Sequence, residues 1–271
     1  MTRICIVGAG AVGGYLGAKL ALADQPVNVL ARGATLQALR AEGLRLTEDG
    51  NTRSVPVHAS DDAHAFGVQD VVIVAVKAPA MESVAQGIAP LIGPETCVVV
   101  AMNGVPWWFF DRHGPLEGLR LQSVDPHGRI AQAIPTKNVL GCVVHLTCST
   151  AAPGHVRHGF GKRLILGEPT GGISPRLGAL GALFERAGLQ IERSEAIQRD
   201  IWFKLWGNMT MNPVSVLTGA TCDRILDDPL VSAFCLGVME EAKAIGARIG
   251  CPIEQSGEER SAVTRQLGAF K

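Results

Sequence analysis

The apolar run Ile4–Val7 leads directly into Gly8-Ala9-Gly10-Ala11-Val12-Gly13. Few folds accept G-x-G-x-x-G in this position. A buried strand has to end in a tight turn and hand over to a helix, so the spacing predicts a strand over Ile4–Val7 and a helix over Val12–Ala23. Gly8 serves the turn, Gly10 lets the backbone approach a pyrophosphate, and Gly13 lets the helix lie close to the strand. The helix amino end then offers free N–H groups and the positive end of its dipole to phosphate. Gly8, Ala9, Gly10, Ala11, Val12 and Gly13 are therefore candidate cofactor-binding residues. The competing reading is a glycine-rich turn without a ligand, and the flanking strand and helix weigh against it.

The alternation continues through the first half. Strands are predicted over Val27–Ala31, Val71–Val76 and Cys97–Met102, and helices over Leu36–Ala41 and Ala80–Leu91. Two short strands, Leu44–Thr47 and Val55–Ala59, flank the polar turn Glu48-Asp49-Gly50-Asn51. Runs as apolar as Val71–Val76 suit strands buried on both faces, and the β-α-β-α order implies a parallel sheet covered by helices. The pattern changes after about residue 110. Asp111–Pro135 is rich in Gly, Pro and charge and takes no assignment. Val139–Ser149 and His155–His158, joined by Ala151-Ala152-Pro153-Gly154, read as a hairpin, with Arg163–Gly167 as a third strand. His155 and His158, three apart on a strand, point to opposite faces and are not read as a shared metal site. A helix over Leu177–Ala187 and a strand over Gln190–Arg193 follow. From Glu195 the pattern is helical.

The fold class expected is α/β: a Rossmann-type dinucleotide-binding domain over residues 1–194 and an all-helical C-terminal domain over 195–271. Gly257–Lys271 carries a helical pattern without a natural tail, so the second domain is expected to be truncated at its C-terminus.

Twenty-five basic residues balance 25 acidic ones. That leaves no basic footprint for nucleic acid or an anionic membrane. No apolar run approaches the roughly 20 residues of a membrane span, and no signal peptide is apparent, so a cytoplasmic protein is expected. Seven cysteines, an odd count without a C-x-x-C, read as small buried side chains in a reducing compartment, and no metal site is expected.

The end of the second strand discriminates between cofactors. An NAD site places Asp or Glu about 20 residues beyond the glycine motif to bind the ribose 2′-OH. Here Arg32 stands in that region, and a guanidinium pairs with a 2′-phosphate, which selects NADP(H). Lys77 and Asn103-Gly104 follow predicted buried strands, at the ends where open α/β sheets bind ligands. Lys77 is a donor at the crevice edge or a solvated lysine; Asn103 is a site residue or part of a turn. In the helical half, Lys204, Asn208 and Asn212 recur at spacing four and form one polar ladder on a helix face. Trp202, Phe203, Leu205 and Trp206 flank Lys204, so its ammonium is expected to be partly desolvated, with a pKa lowered toward proton-transfer use.

Taken together, the glycine motif, a lysine after the fourth buried strand, Asn-Gly after the next, and Lys-x-x-x-Asn-x-x-x-Asn-Pro opening a helical half resemble the ketopantoate reductase (2-dehydropantoate 2-reductase) family. The resemblance covers nearly the whole chain. It implies NADPH-dependent reduction of an α-keto acid, 2-dehydropantoate to pantoate in pantothenate biosynthesis, and a small-molecule substrate as partner, with a homodimer left open. By resemblance Lys204 is the general acid. Asn103, Asn208 and Asn212 hold the substrate or orient the lysine, Asn208 being counted with the catalytic group. Lys77 and Asn103 line the cofactor side of the cleft, and Arg32 takes the 2′-phosphate. The family's later serine and glutamate fall beyond Lys271. The segment from Val105 to about Pro135, with Trp107-Trp108-Phe109-Phe110, is an insertion beside the expected substrate site. It leaves open a different 2-keto or 2-hydroxy acid as substrate. A non-catalytic NADP-binding sensor is the more distant alternative, and it has no need of the Lys204–Asn208–Asn212 ladder.

Overall fold

Ile4–Val7 forms strand β1, fully buried and paired in parallel on both sides, with β2 (Val27–Leu30) and β6 (Val71–Val74). The computed structural model describes residues 1–266, 268 and 269. They fall into two units: Met1–Arg112 with Gly118–Ile197, and His113–Glu117 with the chain from Gln198 onward.

In the first unit α1 (Ala11–Leu22) follows β1, and α2 (Gly33–Glu42) follows β2. Then come β3 (Leu44–Glu48), β4 (Asn51–Val55) and β5 (His58–Ser60). After β6 the chain forms α3 (Met81–Gly87), β7 (Cys97–Ala101), α4 (Arg129–Ala133), β8 (Val139–Ala152), β9 (His155–Gly167), α5 (Pro175–Arg186) and β10 (Gln190–Ser194). The sheet order is β4-β3-β9-β8-β7-β6-β1-β2-β5, with β10 also on β9. Its β5-β2-β1-β6-β7-β8 portion is parallel throughout and has the doubly wound nucleotide-binding order, which reverses direction between β1 and β6.

The sheet as a whole is mixed, because β3 pairs β4, and β8 pairs β9, antiparallel. The expected strand Val55–Ala59 is split at Pro56, which has no N–H for a ladder. Val55 ends β4, and β5 joins β2 in parallel. Positive φ at Asp49 (50°) and Gly50 (78°) closes the β3–β4 turn. Arg163–Gly167 is no separate third strand but the far half of β9. The register shifts around Thr147 and Phe160 bend β9 without ending it. Along its other edge β9 pairs β3 at His155–Arg157 and β10 at Arg163–Gly167. The helix expected over Ala80–Leu91 is shortened to α3, with single 3-10 turns at Ala78–Ala80 and Ala89–Leu91 where Pro79 and Pro90 stand.

The aromatic run Trp107–Phe110 is core. Trp107, Trp108, Phe109 and Phe110 are all buried, and a Cβ on Gly141 of β8 would lie 2.8 Å from the Trp108 ring. The four aromatics therefore do not form a wall beside an open site; only Trp107 also reaches a cleft, described below. All seven cysteines are free, and burial pushes the Cys142 thiol up to about 12.

The second unit is helical: α6 (Ile197–Thr218) from its second residue on, α7 (Cys222–Asp227), α8 (Pro229–Arg248) and α9 (Gly257–Arg265). Asp228 caps α8 by accepting from the Leu230 and Val231 amides, and Ser256 with Glu259 forms a reciprocal capping box on α9. Of the helix expected over Gly257–Lys271, α9 ends at Arg265, while Leu267, Phe270 and Lys271 lie outside the described residues. No helix among the described residues is long and apolar enough to cross a membrane.

Candidate active site

The carboxyl ends of β2, β1, β6 and β7 border three adjoining clefts in the first unit. One, of about 470 Å³, runs from Arg32 and Thr35 past Gly8–Gly10 to Ser83, with Asp61, Asp62 and Thr150 on its walls. A second, of about 680 Å³, shares Gly8, Gly10, Val76 and Ala80 with the first and continues to Lys77, Asn103 and Leu146. The third, of about 380 Å³, shares Ala78, Met102 and Asn103 with the second and ends at Trp107 and Ser123. Together they cross the point where the strand order reverses, where open α/β sheets bind ligands.

The glycines divide the work of the turn. Gly8 has φ +92°, and a Cβ there would sit 2.6 Å from Val76 Cγ1, so the ends of β1 and β6 touch. A Cβ on Gly13 would collide with the Gly8 carbonyl oxygen. A Cβ on Gly10 would meet nothing within 4 Å. No side chain caps α1, whose amino end starts at Gly10. The space over Gly10 is thus open cleft in front of uncapped amides, and it fits a diphosphate. NADP(H) would be held there by the turn Gly8–Gly13 and at the Arg32 end by the guanidinium. Sequence reasoning missed the acids at that end. The end of β2 carries no carboxylate, but the loop after β5 brings Asp61 and Asp62 to the cleft that Arg32 lines. No local motif announces them, because the contact depends on β5 pairing with β2.

Lys77 is exposed where the chain leaves β6, at the head of a 3-10 turn. Asn103 is tied down. Its Oδ1 accepts from the Val144 amide at 3.1 Å, and its Nδ2 donates to the Val144 carbonyl at 3.4 Å.

Lys204, Asn208 and Asn212 lie along α6 in the second unit, half-buried, half-buried and exposed. Asp200, four residues before Lys204, continues their spacing, a signal present in the sequence but not used above. Trp202 and Trp206, beside Lys204 in sequence, are directed to α8. Trp202 and Trp206 sit about 200° around the helix from Lys204 and Asn208. They donate to Ala242 O at 3.2 Å and Met239 O at 2.9 Å on α8. Pro213 within the helix has no N–H to give the Met209 carbonyl.

Residues 4–171 match the family model of ketopantoate reductase PanE/ApbA, and residues 196–270 match the model of its C-terminal region. The chain belongs to the ketopantoate reductase family. A 2-dehydropantoate 2-reductase of Mesorhizobium japonicum is 47% identical over 250 residues, 92% of this chain and 77% of that protein. The crystal structure of a family member from Ralstonia solanacearum MolK2 superposes with TM-score 0.98 at 83% identity, over 99% of this chain and 84% of that one. A D-mandelate dehydrogenase solved with NADH and anilino(oxo)acetate shares the fold, with TM-score 0.82 at 19% identity.

Proposed function

We propose that this ketopantoate reductase family member reduces an α-keto acid with NADPH, and that its substrate is 2-dehydropantoate, converted to pantoate. The run of clefts from Arg32 across the Gly8–Gly13 turn to Lys77 and Asn103 carries the reading, because it crosses the strand-order reversal where open α/β sheets hold dinucleotides. Residues 1–194 take the cofactor, and residues 195–271 supply the acid and substrate contacts. Bound NADPH supplies the hydride that the carbonyl carbon accepts. Lys204, as an ammonium, donates a proton to the oxygen as its C=O bond becomes C–O, and before that its positive charge stabilises the oxygen. Asn208 orients that ammonium and, with Asn212 and Asn103, hydrogen-bonds the substrate. The lysine regains its proton from solvent. The reading extends to a cytoplasmic enzyme and to a homodimer, which light scattering of the purified protein tests.

A different 2-keto acid is the second reading. The observation that favours it is the insertion, which places Val105, Pro106 and Trp107 in the cleft beside Asn103. Oxidation of NADPH, with NADH in parallel, measured over a panel of 2-keto acids decides. The expected result is turnover with NADPH and the highest kcat/KM for ketopantoate. NADPH binding without turnover of any acid would leave a cofactor sensor in place of an enzyme.

A further inference from the structure

The cleft that Arg32 lines holds a carboxylate that the mechanism above does not use. Strand β5 ends at Ser60, which pairs with Leu30 of β2, and the Ser60 carbonyl accepts from the Ala31 amide at 3.0 Å. Asp61 and Arg32 therefore follow on neighbouring strand ends, and both line the cleft. The chain is fixed on either side of Asp61. Ser60 Oγ accepts from the Asp62 amide at 3.1 Å, and Asp62 Oδ1 accepts from the His64 amide at 2.9 Å, at the head of the turn Ala63–Ala65. Asp62 is thus occupied as a backbone cap. The Asp61 carboxylate is exposed and has no hydrogen-bond or ion-pair partner among the described residues, and the same holds for the Arg32 guanidinium.

Opposite charges on adjoining strand ends that leave each other unpaired suit a ligand with a group for each. Arg32 takes the 2′-phosphate. An ionised carboxylate only accepts hydrogen bonds, so Asp61 needs a donor. The 2′-phosphorylated adenosine of the cofactor carries two, the ribose 3′-OH and the exocyclic amine of adenine; its ring nitrogens and phosphate oxygens accept. The 3′-OH stands on the carbon next to the one that bears the phosphate, and a carboxylate bonded there is held against a like charge. The amine lies on the far side of the purine from the ribose, where that repulsion is smallest. Leu30, Ala63, Ala80 and Val84 line the same cleft and are apolar, as the faces of a purine require.

We infer that Asp61 is the adenine anchor of the dinucleotide cleft: its carboxylate accepts a hydrogen bond from the exocyclic amine and selects adenine over 6-oxopurines. This rests on the NADPH reading above. A 6-oxopurine sets a carbonyl oxygen where the amine was, so that two acceptors face each other. The capped turns on both sides of Asp61 hold its backbone in place before the cofactor arrives, so little ordering is left to be done on binding.

The test measures binding in the absence of any keto acid. Dissociation constants are taken by calorimetry for NADPH and for its analogue with hypoxanthine in place of adenine, on the unmodified protein, Asp61→Asn and Asp61→Ala, with thermal melts on the same samples. The unmodified protein should bind NADPH about tenfold or more tightly than the analogue, the usual weight of a charged hydrogen bond. Asp61→Ala should weaken NADPH and bring the two constants within about threefold of each other. Asp61→Asn, whose amide can donate to the 6-oxo group, should shift the preference further toward the analogue. Neither variant removes a contact within the protein, so the melting temperatures should hold. Should a variant fail to fold, the unmodified protein still decides, since equal constants for its two ligands would overturn the anchor. Equal weakening of both ligands by Asp61→Ala would move the carboxylate to the ribose and overturn the anchor with the NADPH reading left standing, and so would a preference that neither variant changes. A protein that binds neither dinucleotide overturns both.

Discussion

The side chain of Asn103 extends the β7–β8 ladder by one rung. Its amide exchanges both hydrogen bonds with the backbone of Val144, accepting at 3.1 Å and donating at 3.4 Å, just beyond the last backbone pair, Ala101 with Cys142. An asparagine is thereby fixed in orientation at the junction of two clefts. Asn103→Ala leaves the Val144 amide and carbonyl without these partners and should lower unfolding free energy by about 1–2 kcal/mol. Asn103→Asp keeps the acceptor for the Val144 amide but sets a carboxylate oxygen against the Val144 carbonyl, so it should not restore the stability lost in Asn103→Ala. Urea titration of the three proteins ranks them, and equal stability of all three would mean that the rung carries no weight.

The glycines of the turn should respond in opposite ways. Gly10→Val puts a side chain into open cleft, so the melting temperature should hold while NADPH binding is lost. Gly13→Val drives its Cβ into the Gly8 carbonyl and should destabilise the protein by several kcal/mol before any question of cofactor arises. Cofactor fluorescence and thermal melts on both variants separate the two effects.

Arg32→Ala should weaken NADPH roughly tenfold or more, the usual loss for a charged hydrogen-bonded pair, while NADH is nearly unaffected. Asp61 and Asp62 share the cleft with Arg32, so the variant should favour the cofactor that lacks the extra phosphate. Dissociation constants for the two cofactors measure this, and an unchanged ratio rejects the assignment of Arg32.

Lys204→Ala should reduce kcat by roughly two to four powers of ten, the range for losing a general acid, with NADPH affinity preserved. Losses from Asn208→Ala and Asn212→Ala should not add to it, because the three act on one substrate. Turnover and melting temperature on the same samples are the check. Near-normal turnover with a slightly shifted melt would make the ladder a surface stripe.

Glu48 predicts acid sensitivity. Burial opposes its ionisation. The hydrogen bond from Lys19 at 3.1 Å and the charges of Lys19, Lys162 and His158 outweigh that burial and hold the carboxyl below the usual glutamate range. Arg53 approaches at 3.5 Å, and Tyr15 donates to the other oxygen at 3.4 Å. A depressed carboxyl contributes stability that is fully present above its unfolded value of about 4.3 and is lost as pH falls through the lower folded value. Glu48→Gln should cost about 1.5–3 kcal/mol at neutral pH. That gap should begin to narrow below the unfolded value of about 4.3 and go on narrowing as pH falls through the lower folded value. Denaturation curves at pH 7 and pH 3.5 test the sign. A gap as large at pH 3.5 as at pH 7 would assign the effect to packing.

Local order decided much of what could be read in advance. Each parallel strand of the nucleotide-binding half is a short apolar run ended by a turn, and burial on both faces leaves such runs few alternatives. Gly8, Gly10 and Gly13 were legible for the same reason, since their spacing follows from one turn and the first coil of one helix. Lys204, Asn208 and Asn212 were legible as a face because helical period needs no partner to be known.

Contacts between distant segments were not legible. Pairing β9 with β8, β3 and β10 at once depends on its bend and on strands over a hundred residues away, and period-two alternation is blind to that. The tryptophans beside Lys204 in sequence turned out to face α8, because neighbours along a helix diverge by about 100° per residue and only packing decides which face is buried. Asp61 and Asp62 joined the Arg32 cleft through the pairing of β5 with β2, and Arg260 lies over the Phe203 ring although the two are far apart in sequence. The sequence by itself determined the strand–turn–helix around Gly8–Gly13, since those hydrogen bonds and steric limits act within a few residues. Which charges surround that turn, and which side chains face α8 instead of the lysine's side of α6, only the tertiary structure decided, since burial and Coulomb interaction depend on distance in space and not on distance along the chain.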